Sequence, residues 1–98
     1  MTGQTERHAA VTRLRPIVAE LDVMTDDELR EYMLAERADD GGVAIAEAIE
    51  ILAKARAWLA TQTGEQRMNF AEFDRVITRT TAMRARLDRE AQQAEDIE

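Results

Sequence analysis

Two stretches of this chain open in the same way. Met24-Thr25 is followed by Glu28 and Leu29, and Met68-Asn69 by Glu72 and Phe73. Each spells the start of a helix. The capping Thr or Asn side chain accepts one orphan backbone N–H, and the glutamate three places on reaches back to the cap's own N–H. The apolar pair around them staples the entry of the chain. Helical apolar spacing appears before the first start and again between the two. Val11, Leu14, Val18 and Leu21 continue across Pro16, which predicts one helix kinked at the proline or a short helix beginning there. Ile45, Ile49, Leu52 and Leu59 make one stripe of a helix near 43–62, with Ala44, Ala48, Ile51, Ala55 and Trp58 as a second stripe beside it. A face that wide belongs to a central helix with neighbours on two sides.

Little in the chain resists this reading. It holds seventeen alanines, one proline and four glycines in 98 residues, and no segment alternates as a strand would. The expected fold is all-α. It is a single domain over 1–98, whose ends at 1–8 and 93–98 are candidates for fraying. The expected architecture is a three- to four-helix bundle on a long antiparallel hairpin, about 43–62 and 70–95, with the first two helices covering its open side. Leu29, Tyr32, Met33 and Leu34 are expected to face inward from the second helix. Phe70, Phe73, Ile77, Thr80, Leu87 and Ala91 are expected to do so from the last. Asp39-Asp40-Gly41-Gly42 should end the second helix, with Gly41 left-handed at its C-cap and the aspartates free to cap the third. The last helix, at roughly 39 Å, outruns the third at roughly 30 Å. The segment from Arg89 onward should therefore overhang, frayed or supported by another subunit.

With no cysteine, disulfides and Cys-ligated metals are excluded, and a cytoplasmic location fits. No apolar run approaches a membrane span, and the N-terminal residues lack the apolar core of a secretory signal. The net charge of −7 opposes general nucleic-acid affinity. The charge is also unevenly distributed, with a block at residues 20–50 that carries −9.

Two surfaces stand out. Arg75, Arg79, Arg86 and Arg89 fall within an arc of about 80° on the last helix. Such a stripe suits phosphates or an acidic partner surface; otherwise it is a solvated face with local ion pairs from Glu72 to Arg75 or Arg79 and from Glu90 to Arg86, or it neutralises the acidic second helix within the fold or across a dimer. No aromatic interleaves it, which disfavours single-stranded nucleic acid. Arg84 falls on the apolar side of the same helix, where its stem should pack with its head at an edge, or pair with a carboxylate or a second subunit. The acidic block is the other surface. Asp26 and Asp27 sit where a helix N-terminus favours anions, and the block as a whole could dock a basic partner or imitate nucleic-acid charge. Trp58 is expected in the core, and becomes an interface anchor with Ile51 if their stripe is open. His8 is the only histidine and reads as a surface residue.

Glu28-x-x-Glu31 with Glu47-x-x-Glu50 resembles the ExxE…ExxD arrangement with which all-helical nucleotide pyrophosphatases hold Mg²⁺. Here Glu50 replaces the final Asp, and Glu47 and Glu50 project away from the apolar stripe. Trp58-Leu59-Ala60 also lacks the glycine of the Trp-x-Gly turn that marks small secreted helical hairpins. No enzyme, metal or cofactor is expected. The expected role is a small acidic protein-interaction module, regulator or assembly factor of the bacterial or phage accessory kind, self-associating as a homo-oligomer. Its partners would be another protein or itself, with no membrane. A nucleic-acid-associated protein using the arginine stripe is the alternative, and an inhibitor that imitates nucleic acid the second alternative.

Overall fold

A computed structural model describes residues 2–64 and 66–97, with side-chain surroundings over 5–64 and 66–95. Met1, Glu65 and Glu98 lie outside the described residues, as do the surroundings of the outermost side chains at both ends. The chain is all-α. Its helices are α1 (Thr2–Asp22), α2 (Asp26–Asp40), α3 (Val43–Leu59) and α4 (Gln66–Ile97), with no strand among the described residues. The molecule is elongated, 55 × 25 × 18 Å. α3 and α4 form the most extensive pair, and α1 and α2 each pack on both of them.

α1 runs through Pro16 as one helix. The expected stripe carries it, with Val11, Val18 and Leu21 buried and Leu14 against the core. Pro16 is exposed, so the backbone bond it forgoes is lost on the solvent side of the helix. The corner into α2 is built as the sequence predicts. Thr25 Oγ1 accepts from the Glu28 N–H at 3.1 Å, and Glu28 Oε1 accepts from the Thr25 N–H at 3.0 Å. Leu29 is buried and Met24 packs on the core beside it.

The connection from α2 to α3 is two glycines. Gly41 (φ +72°) and Gly42 (φ +92°) are both left-handed, a conformation that other residues adopt only at a cost. The Gly41 N–H closes α2 on the Arg37 carbonyl, and the Asp40 carboxylate accepts from the Gly42 and Ala44 N–H groups, each at 3.0 Å. One aspartate thus caps α3 from the end of α2.

α4 departs from expectation at its start. It begins at Gln66, a turn before the predicted cap. Gly64 (φ +69°) makes the turn, and its carbonyl accepts from the Arg67 N–H at 3.0 Å, so helix propagates at once. Asn69 is therefore inside the helix, its amide donating to Gln66 Oε1 at 2.9 Å, and Met68 is exposed and staples nothing.

The buried face of α4 also differs in which rows it covers. Phe73, Thr80 and Leu87 recur every seven residues, and so do Val76 and Met83; all five are buried. Gln66, Asn69 and Glu90 extend the same two rows and are half-buried. This is a 3.5-residue seam, which drifts about 20° per heptad around a straight helix. A third row breaks off along the helix. Ile77 is buried as expected, but Arg84, expected on the same apolar side, and Ala91, expected to face inward, lie one and two heptads on and are exposed, because the neighbouring helices cover that row only in its first half. On α2, Leu29 and Met33 are buried, but Tyr32 and Leu34 flank them in solvent. Thr80 is the buried polar residue, and its hydroxyl donates to the Val76 carbonyl at 2.7 Å.

Candidate functional site

The second stripe of α3 is only half covered. Ala55 and Trp58 are buried, with the His8 ring of α1 edge-on to the indole at 6.4 Å. Ala44, Ala48 and Ile51 are not buried. They form one wall of an open groove of about 360 Å³ between α1, α2 and α3. Leu14 and Leu21 reach it from α1, Met33 from α2, and Ile45 and Leu52 from the α3 core stripe. Its lip is made of large apolar side chains that a folded chain ordinarily hides. Ile17 is 50% exposed, Tyr32 44% and Ile51 52%. The groove is apolar to its base, where Thr80 already has its hydroxyl committed to its own helix.

Charge gathers at the mouth. Glu36 lines the groove beside Tyr32. The Tyr32 hydroxyl is held above its ordinary pKa, first by burial and then by the negative charges of Glu36 and Glu20. Glu20 stands one turn after Ile17 on α1. Both carboxylates lack an ion-pair partner among the described residues.

The arginine stripe is divided. Arg75 pairs with Asp22 at 3.0 Å, and its hydrogen bonds hold the Asp22 carboxyl below the usual range. Arg79 lies across the α1–α2 corner. It donates to the carbonyls of Leu21 and Asp22, each at 3.2 Å, to the Met24 carbonyl at 2.7 Å, and to Asp26 Oδ1 at 3.2 Å. Arg86 sits 3.7 Å from Glu90, and Arg89 is exposed. Glu90 is held below its ordinary pKa chiefly by the hydrogen bond from Arg30 on α2, 2.6 Å away. Arg37 of α2 likewise pairs with Asp88. These two pairs brace the far half of α4 from within the chain. Asp27 is exposed beside the engaged Asp26, and Arg84 has no ion pair among the described residues.

The two glutamate pairs do not converge. Glu28 is occupied as a cap and Glu50 lies 3.6 Å from Lys54. No group of three His, Asp or Glu side chains among the described residues is close enough to hold a metal ion. No described helix is long and apolar enough to cross a membrane.

Residues 19–83 match DUF6887, a family of unknown function. The chain belongs to that family. The match runs from the last turn of α1 to Met83, so it takes in the α1–α2 corner held by Arg79 and every groove residue except Leu14 and Ile17. No curated protein and no solved structure matches the chain.

Sequence spacing identified Ile51 as an anchor conditional on an open stripe, and Trp58 with it. The structure separates them, Ile51 at the lip and Trp58 in the core. Ile17 was missed. The signal was present: it is the one large aliphatic residue of α1 that lies off the Val11/Leu14/Val18/Leu21 stripe.

Proposed function

We propose that this chain is a non-enzymatic protein-interaction module, a regulator or assembly factor, whose contact face is the groove between α1, α2 and α3. The observation that carries the reading is the lip, where Ile17, Tyr32 and Ile51 stand half in water around an apolar floor. Contiguous apolar surface of this kind marks interaction sites in folded chains. Small-ligand sites add a few convergent polar groups, and this floor offers none with free hydrogen-bonding capacity. In this reading the scaffold is an antiparallel α3–α4 hairpin, which α1 and α2 cover on one side, and the occupant is another protein or a second copy.

A photo-crosslinking amino acid at position 51 tests this in the cells that make the protein, with position 84 as the exposed control. Position 51 is expected to give a discrete adduct and position 84 none. An adduct at twice 11.1 kDa would identify a second copy. Equal, diffuse labelling from both positions would remove the groove as a contact face.

A further inference from the structure

The groove's shape and charge say what chemistry should fill it. Ala44, Ala48 and Ile51 follow one another at i, i+4 and i+7 along the open wall. They span two helical turns, roughly 10 Å. The two alanines leave room for a second helix backbone to approach, and Ile51 closes the far end. A helix laid along such a wall presents apolar anchors at the same i, i+4 and i+7 spacing.

The carboxylates around this groove are left unneutralised, unlike those that face α4. Asp22, Asp26, Asp74, Asp88 and Glu90 each meet an arginine of the fold. Glu20, Glu36, Asp39 and Glu47 meet no cation among the described residues. Glu36 lines the groove, and Glu20 acts on the Tyr32 hydroxyl across it. Asp39 lies a turn beyond Glu36 on the same side of α2, Glu28 a turn before Tyr32, and Glu47 a turn before Ile51. The cations at equivalent positions are Arg13, a turn before Ile17, and Lys54, which is beside Glu50. The rim is therefore strongly acidic over an apolar floor. A second copy would bring a like-charged rim against it, which disfavours self-docking.

We propose that the groove receives one amphipathic helix of another protein, with apolar anchors on successive turns and lysine or arginine along its flanks. This rests on the reading of the groove as the contact face. The apolar anchors supply affinity, and the rim orients the helix and accelerates its approach at low salt.

The test uses the full chain and three fluorescein-labelled 18-residue peptides. One is a leucine–lysine helix with leucines at i, i+4 and i+7. The second has glutamate for every lysine. The third is a shuffled leucine–lysine peptide without an apolar face. The leucine–lysine helix is expected to bind, to weaken at least tenfold against Ala48→Trp, and to weaken similarly against Glu20→Lys/Glu36→Lys. The charge-swapped protein should instead gain affinity for the leucine–glutamate helix. Circular dichroism melts establish that both variants remain folded. Equal binding of the shuffled peptide, or no loss in Ala48→Trp, would overturn the proposal as simple charge adsorption. A leucine–glutamate helix binding the unaltered chain, and lost in Ala48→Trp, would overturn the basic occupant and leave the contact face standing. So would a dimer that Ala48→Trp converts to monomer. No binding of any peptide, together with a monomer at high concentration, would overturn both.

Discussion

Arg79→Met separates a structural arginine from a surface one. The Arg79 side chain is 28% exposed and joins three carbonyls of the α1–α2 corner, whereas Arg75, at 56% exposure, joins one half-buried carboxylate. Leu21 and Asp22 are the last residues of α1, whose carbonyls have no partner within the helix. The methionine keeps the apolar stem and removes the donors. Hydrogen bonds from a charged donor contribute about 1.5–3 kcal/mol each. The Leu21 carbonyl keeps the Met24 N–H at 3.3 Å and the corner is partly open to water, so the sum falls well below three full bonds. The expected loss is about 2–3 kcal/mol. At about 5 °C per kcal/mol for a chain of this size, melting falls by roughly 10–15 °C. Arg75→Met removes an exposed ion pair, for which about 1 kcal/mol is the upper bound. Arg79→Lys should behave nearly as badly as methionine, because a single ammonium cannot span three carbonyls. Thermal and urea melts followed by circular dichroism read all three. Equal, small losses in Arg79→Met and Arg75→Met would refute the corner's dependence on Arg79 and return Arg79 to the surface stripe.

Thr25→Ala removes the α2 capping box and should lower stability by about 1 kcal/mol in the same melts, with Thr25→Ser nearly neutral. The burial of the Val76/Met83 row of α4 predicts that Val76→Ala destabilises by about 2 kcal/mol, while Arg84→Ala stays within about 0.5 kcal/mol; reversed magnitudes would return Arg84 to the inner face. Asp22 and Glu90 have folded pKa values held below their ordinary ones, so the folded state binds fewer protons there than the unfolded state does. Their contribution is present above the ordinary carboxylate range and is lost as pH falls through and below about 4. Urea midpoints at pH 6 and pH 3 should therefore differ more in the parent chain than in Asp22→Asn/Glu90→Gln, and identical differences would count against these pairs.

Much of the backbone was legible because its signals are local. Thr25 with Glu28, Gly41, and Asp40 ahead of Ala44 each act within four residues, and each is found where the spacing puts it. The start of α4 misled for a reason of the same kind. Asn69 and Glu72 fit a cap, but Gly64 had already made the turn, and a helix that can begin earlier gains hydrogen bonds by doing so. The inner face of α4 misled because residues 73, 77, 80, 84 and 87 and residues 73, 76, 80, 83 and 87 both step by threes and fours at the same average period, and differ only in which row flanks Phe73, Thr80 and Leu87. Only the packing of neighbouring helices chooses between them, and it buries Met83 and leaves Arg84 in water.

The groove lies beyond what a single helix's pattern can show. The second stripe of α3 reads as buried because it is apolar, yet apolarity says that a face gains from cover, not that the fold supplies it. Ala44 and Ala48 offer little surface, and each methyl group gains only about 0.8 kcal/mol from burial. Covering them within the chain would bring little, whereas Trp58 at the other end of the stripe is large enough to draw in α1. The stripe is therefore closed at Ala55 and Trp58, where the indole draws in α1, and open from Ile51 back to the two small alanines. Ile51 sits at that boundary and Ile17 faces it from α1, so the exposed apolar surface is concentrated at one lip. A helix that seated there would bury Ile17, Tyr32 and Ile51 together, gaining most where the fold alone gains least.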